Sequence, residues 1–250
     1  IRMAPAFVEA DLFRTLQLLP SVSANNDFNA ALIVRGGNPD ENLILLDGTE
    51  IYNPYHIGGI FSTFNADMIS DSEFLAGGFP ANYGGRLSSV FDIQTKKGNT
   101  KSIAGEGSIG PVTGNLELEI PIVQEKSSLI IGGRATYSDW ILRTLDEESL
   151  NNSEASFYDM IANYSHQIDS ENEFNLTGYY SRDKFSITSD SLYSYKNRMF
   201  SGTFNHKFNN QLEGSINFSN SFYDFEIEYD SQFDNSFVSS FDINDTKLRI

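Results

Sequence analysis

A strict two-residue alternation of apolar and polar side chains begins after Lys97-Gly98-Asn99 and limits what this chain can become more than any other feature. In the segment 157–168, Tyr158, Met160, Ala162 and Tyr164 fall on one side and Asp159, Asn163, Ser165 and Gln167 on the other, with Ile161 breaking the polar side. Phe200, Gly202, Phe204 and Phe208 alternate with Ser201, Thr203, Asn205, Lys207 and Asn209. Leu212, Gly214, Ile216, Phe218 and Phe222 alternate with Glu213, Ser215, Asn217, Ser219 and Ser221. Leu116, Leu118 and Ile120 alternate with Asn115, Glu117 and Glu119. A period of two is that of an extended strand, because successive Cβ atoms point to opposite faces; a helix would repeat every 3.6 residues. About eight such segments follow one another.

The connections take turns in length. Residues 123–127, 169–172 and 209–210 are short, whereas 138–154, 183–198 and 226–240 are long. Up-and-down outer-membrane barrels have this asymmetry, with tight periplasmic turns and longer outer loops. An aromatic content of 13%, concentrated on the strands as Tyr and Phe, suits lipid-facing and interfacial positions. Periodicity alone also allows a soluble antiparallel sandwich, in which the apolar side would be the core. No run of about 18 apolar residues is present, so a membrane crossing here would be made by strands rather than by a helix.

Residues before 99 have a different texture, with short apolar runs broken by Gly and Pro. VEADLFRTLQLLP at 8–20 places Leu12, Leu16 and Leu19 at helical spacing with Pro20 as a stop. LILL at 43–46 running into Asp47-Gly48 predicts a buried strand and a tight turn. The chain opens at Ile1 without Met and without a signal sequence, which predicts an N-terminus further upstream.

Several kinds of chemistry find no support. A formal charge of -17 argues against nucleic acid as a partner, since phosphate binding needs clustered Lys and Arg. With no cysteine there is no thiol chemistry or disulfide, and His56, His166 and His206 lack metal-ligand spacing, so no metal or cofactor is predicted. GEGSIG at 105–110 matches a dinucleotide fingerprint only formally, because Pro111 follows where a helix should start. DEESLNN at 146–152 and DINDTK at 242–247 offer oxygen ligands for calcium in outer loops but do not follow the EF-hand pattern, and solvated loops are the simpler reading. No nucleophile–base arrangement is recognisable, and no enzyme is predicted.

Three motifs of the first part occur in a telling order: VRGG at 34–37, NLILLDGTEIYNP at 42–54, and ISDSEFLAGGFPANYGGRLSSVFDIQTKKG at 69–98. Together they resemble the plug domain of TonB-dependent outer-membrane receptors, particularly the type common in Bacteroidetes. The resemblance implies an α+β plug domain over 1–99, incomplete at its N-terminus, followed over 100–250 by the first antiparallel transmembrane β-barrel strands of an incomplete 22-stranded barrel. It also implies active import of a scarce siderophore, cobalamin, glycan or peptide across the outer membrane of a Gram-negative bacterium, with energy delivered by TonB. The family's TonB-binding segment lies N-terminal to the plug, and nothing before residue 8 matches it. The closing element does not look like the SusC-type version, which weakens the case for a surface lipoprotein partner. The rival reading is a soluble or surface-displayed β-rich binding protein or adhesin without transport.

Site expectations follow from the same segments. By resemblance, outward plug loops help to bind substrate. GGNPDEN at 36–42 and YNPYHIGG at 52–59 fit, the second better, because Tyr52, Asn53, Tyr55 and His56 combine flat surface with hydrogen-bonding tips. The alternative is that Tyr55 and Ile57 pack on the barrel wall. Arg35 and Arg86 sit beside Gly pairs in apolar sequence and need carboxylate partners if buried; Glu117 and Glu119, on the lumen-facing parity, are expected to provide them in a plug–barrel lock. Gly36, Gly37, Gly48, Gly77, Gly78, Gly84 and Gly85 are expected to supply positive φ or close backbone approach.

Overall fold

The computed structural model describes residues 11–24, 31–137, 153–186, 191–229 and 236–250. The first element among the described residues is a helix, α1 (Leu12–Leu16), whose N-cap Asp11 accepts the Arg14 amide hydrogen. The helix is shorter than the spacing of leucines predicts. Leu12, Phe13 and Leu16 are buried, but Leu19 is exposed and belongs to the turn that follows, so only one apolar face is used. Residues 8–10 of the expected helix lie outside the described residues.

β1 (Val22–Ala24) pairs antiparallel with β2 (Leu32–Val34). β3 (Asn42–Leu46) is buried throughout, as its unbroken apolar run requires, and turns through Asp47 and Gly48, φ 45° and 76°, into β4 (Thr49–Glu50). β5 (Tyr55–His56) and β6 (Phe61–Ser62) form a separate small hairpin. β7 (Ile69–Leu75) and β8 (Ser89–Thr95) complete a four-stranded mixed sheet in the order β4-β3-β8-β7, with β3 and β8 parallel. Phe13 lies at the centre of the plug core, against Tyr55, Phe64 and Phe91 at ring distances of 5.3, 5.8 and 5.7 Å.

The alternating segments form one antiparallel sheet of eight strands among the described residues, in sequence order. These are β9 (Ala104–Ile109), β10 (Thr113–Val123), β11 (Ser127–Thr136), β12 (Glu154–Gln167), β13 (Asn172–Ser186), β14 (Ser191–Lys207), β15 (Glu213–Tyr229) and β16 (Phe237–Arg249). Register makes the two faces chemically distinct. One row across β11 to β16 reads Ser128, Ser165, Asn175, Thr203, Asn217, Arg249; the row one residue away reads Leu129, Tyr164, Leu176, Gly202, Phe218, Leu248. A slip of one residue would exchange them entirely.

The polar parity is the covered one. Asp159, Asn163, Thr177, Ser181, Asp183, Asn197, Ser201 and Asn217 are buried, whereas Met160, Phe200, Ile216, Phe218 and Leu248 are exposed. A sandwich would bury the apolar side, so this inverted sheet is a barrel wall with its polar face on the plug. Ile161, which breaks the polar pattern, joins Ile130, Tyr179 and Met199 in extending the plug core into the wall.

Three sequence expectations change. The described residues of the connections expected over 183–198 and 226–240 are largely strand, since β13 and β15 run on to Ser186 and Tyr229. Across the first of them Phe185 stacks on Tyr193 at 4.9 Å, continuing the ladder. Asp242 to Lys247 lie within β16 rather than in a calcium-holding loop, and 146–152 lie outside the described residues. Among the turn glycines, Gly36, Gly48, Gly77, Gly78 and Gly85 have positive φ. At Gly37 a Cβ would come within 2.5 Å of Ser88 Oγ, while Gly84 has open space and needs neither freedom.

Candidate functional site: the seam between plug and wall

The turn after β3 is the hub of the seam. Asp47 Oδ1 accepts the Thr95 amide hydrogen at 2.9 Å, and Oδ2 accepts the Thr95 and Thr177 hydroxyls at 2.6 Å each. The Asp47 carbonyl accepts the Ser201 hydroxyl at 2.9 Å. Each hydroxyl has a single proton, so these can only accept from anything else. The Asn163 amide nitrogen therefore faces Thr95 and Thr177, at 2.9 Å from each, and the Asn217 nitrogen faces Ser201, at 2.8 Å. Arg249 donates to the Gly48 carbonyl. One two-residue turn thus bonds side chains on β13, β14 and β16 directly, and through the hydroxyls of Thr95, Thr177 and Ser201 it orients Asn163 on β12 and Asn217 on β15. Beside it lies a cavity of about 340 Å³, lined by Asn163, Asn175 and Asn217, whose carbonyl oxygens have no protein partner and present acceptors to it.

A second cluster joins the β5–β6 hairpin to the wall. His56, 0% exposed, has Nδ1 at 2.6 Å from Asp183 Oδ2 and Nε2 at 3.2 Å from Asp159 Oδ2, and it stacks on Phe157 at 4.0 Å. Arg134 Nε donates to Asp159 Oδ2 at 2.8 Å, and its Nη2 donates to the Ser62 carbonyl at 2.7 Å. Burial alone pushes the His56 imidazole down, but Asp183 and the hydrogen bonds to both aspartates outweigh it and raise it above the ordinary histidine value.

Further contacts run along the seam. Arg86 pairs with Glu50 at 2.8 Å, Glu50 with Lys247 at 2.9 Å and Lys247 with Asp245 at 2.6 Å. Asp245 accepts the Tyr52 hydroxyl at 3.0 Å. The Tyr52 phenol is pushed up to about 12, by burial first and then by Glu50 and Asp245, so it stays a donor. Lys96 meets Glu117 at 3.6 Å, Lys97 pairs with Glu173, and Glu119 accepts the Asn99 amide hydrogen at 2.6 Å.

The residues singled out in the sequence are redistributed. Arg86 faces the plug's own Glu50 instead of Glu117 or Glu119, and it is linked to the barrel through Glu50, which also pairs with Lys247. Arg35 is exposed at φ 50° with no barrel carboxylate among the described residues, because it leads the turn instead of entering the core. Glu117 and Glu119 do face the plug, but toward Lys96 and the Asn99 backbone. Asn53 donates to Tyr223 at 3.4 Å and Tyr55 accepts the Leu32 amide hydrogen at 3.3 Å, so with Tyr52 and His56 the expected apex residues are turned to wall or core. Ile57 packs with Phe157 and Ala155. Polar tips that suit a ligand suit a polar wall equally well. Asp47, Arg134, Asp159 and Asp183 were missed as a site. Their signal was a charged residue on the inward parity of a strand or in the turn of a motif read only as a turn.

Residues 8–90 match the family profile described as the TonB-dependent Receptor Plug Domain. No curated relative matches the chain by sequence. Among solved structures, the copper transporter OprC is similar at 12% identity and TM-score 0.69, covering 94% of this chain and 39% of its own. The ferric enterobactin receptor of Pseudomonas aeruginosa, a mutant in complex with enterobactin, is similar at 16% identity and TM-score 0.65, covering 94% and 43%. The alcaligin outer-membrane receptor FauA of Bordetella pertussis gives 14% and 0.60, covering 88% and 37%. At these identities the likeness is one of fold, and the chain spans less than half the length of each.

Proposed function

We propose that the protein imports a scarce substrate across the outer membrane, with the plug as its gate: residues 8–90 match the TonB-dependent receptor plug profile, and the chain shares its fold with outer-membrane transporters. The inverted sheet carries this reading: a wall with apolar residues outside and serine, threonine, asparagine and aspartate inside belongs between lipid and a polar interior. Transport then needs the seam to yield. Its contacts are mostly hydrogen bonds and ion pairs, which water can replace one at a time, whereas a continuous apolar interface would have to be exposed at once.

The barrel stores no energy, so the drive comes from TonB, engaging a segment upstream of the plug. The substrate belongs to the siderophore, cobalamin, glycan or peptide classes. Uptake by a deletion strain, offered iron chelates, cobalamin and glycans in turn, tests the reading. Loss of uptake of one of them, reproduced by removing TonB, is the expected result. Recovery of the intact protein as a detergent-free soluble monomer, or uptake indifferent to TonB, would refute it. The rival of a soluble β-rich binder finds no support in a sheet whose apolar face is uncovered.

A further inference from the structure

The tip of the β5–β6 hairpin couples a titratable group to strained backbone. Ile57, Gly58 and Gly59 all take positive φ, 47°, 62° and 111°. The left-handed region is unfavourable for a β-branched residue and persists only where the surroundings over-determine it. Here they do. The Ile57 amide donates to Asp183 Oδ1 at 3.0 Å and the Gly58 amide to the Tyr195 hydroxyl at 2.9 Å. At the other end the Ser62 carbonyl accepts from Arg134 at 2.7 Å, and its amide donates to Asp11 at 2.6 Å.

The clamp is charge-balanced in one protonation state only. His56 and Arg134 face Asp159 and Asp183, with side chains at most 2% exposed. Tyr179, Tyr195 and Tyr223 are the other titratable groups of the wall near them among the described residues, and Asp11 and Arg14 approach the hairpin from the plug side. A carboxylate can only accept, so an imidazole placed between two of them carries a proton on each nitrogen. Were His56 neutral, one nitrogen would oppose a carboxylate lone pair, and the buried group would hold one excess negative charge.

We propose that residues 56–62 form a proton-dependent latch between plug and wall, closed and strained while His56 bridges Asp159 and Asp183 as a cation, and released when that proton is lost. The raised affinity of His56 for its proton fixes the direction. Stabilisation of the closed tip is complete below the ordinary histidine range and is lost as pH rises through the raised value, so the latch opens on the alkaline side. Release frees Ile57 from its positive φ and detaches the hairpin from β11, β12 and β13. Only the consequence for transport rests on the import reading; the local opening does not.

Hydrogen exchange on the intact protein in detergent micelles tests this, read as protection factors so that the intrinsic base dependence cancels. Between about pH 6 and about pH 9, protection at the Ile57, Gly58 and Ser62 amides is expected to fall roughly tenfold or more, while the Thr95 amide held by Asp47 stays constant. His56→Gln is expected to show low protection at the acid end already, with no further pH dependence. Adding Asp183→Asn to it restores equal numbers of charges and is expected to recover protection, still without pH dependence. Protection in the wild-type protein that is flat across the range, or a His56→Gln variant that keeps the wild-type slope, would overturn the proposal. The measurement needs no transport, so failure to import any substrate leaves it standing, and a flat profile leaves the import reading untouched.

Discussion

Gly132 shows how finely single residues adjust the seam. It stands on the inward parity of β11, where a Cβ would come within 2.2 Å of Met68 Sδ and 2.7 Å of Met68 Cγ. Met68 is fully buried in the plug core, so it has little room to retreat. Gly132→Ala is expected to cost about 1–3 kcal/mol of plug seating through overpacking, measured as the shift of the thermal midpoint. Gly178, on β13, has nothing within 4 Å of the same position, so Gly178→Ala should stay within about 0.5 kcal/mol. Equal midpoints for the two variants would deny that plug and wall touch at Met68. Nothing in the sequence distinguishes the two glycines, because the contact that separates them is made by a residue 64 positions away.

Elements carry their information in parity. Alternation alone places β12 and the inner parts of β14 and β15 but misses their outer ends, and it is silent on which side meets water, plug or lipid. Burial answers that: Phe218 is 48% exposed while its neighbour Ser219 is covered. Toward the outer end of the strands, Tyr158 lies 5.7 Å from Tyr180, and Arg198 sits 4.3 Å over the Phe222 ring, an aromatic and cationic rim suited to the membrane interface. Phe218 stands several residues below it, in the middle of the apolar band. Phe218→Arg is therefore expected to destabilise the barrel by about 2–4 kcal/mol in lipid vesicles, as read from denaturant unfolding. On a water-facing sheet the same change would stay within about 0.5 kcal/mol, and that result would contradict the lipid-facing assignment.

For the molecule as a whole, the question is what holds two differently built parts together. Asp47 is the strongest single answer, with three donors on its carboxylate and a fourth on its carbonyl. Asp47→Asn keeps a residue that tolerates φ 45° and removes the charge, so it isolates the hub from turn strain. A loss of about 1.5–3 kcal/mol in the stability of the seated plug is expected, read from exchange protection at Thr95 and across β12 to β14. Unchanged protection would show that the hub is dispensable. The sequence by itself determined the elements: period-two alternation sets the strands, Asp47-Gly48 the turn, and the order of three motifs the plug, since all of these are local properties of neighbouring residues. The tertiary structure alone decided the partners. Arg86 found Glu50, His56 found Asp159 and Asp183, and Asp47 found three strands, because folding a plug inside a barrel brings together residues 36 to 154 positions apart, whose distances no local pattern encodes.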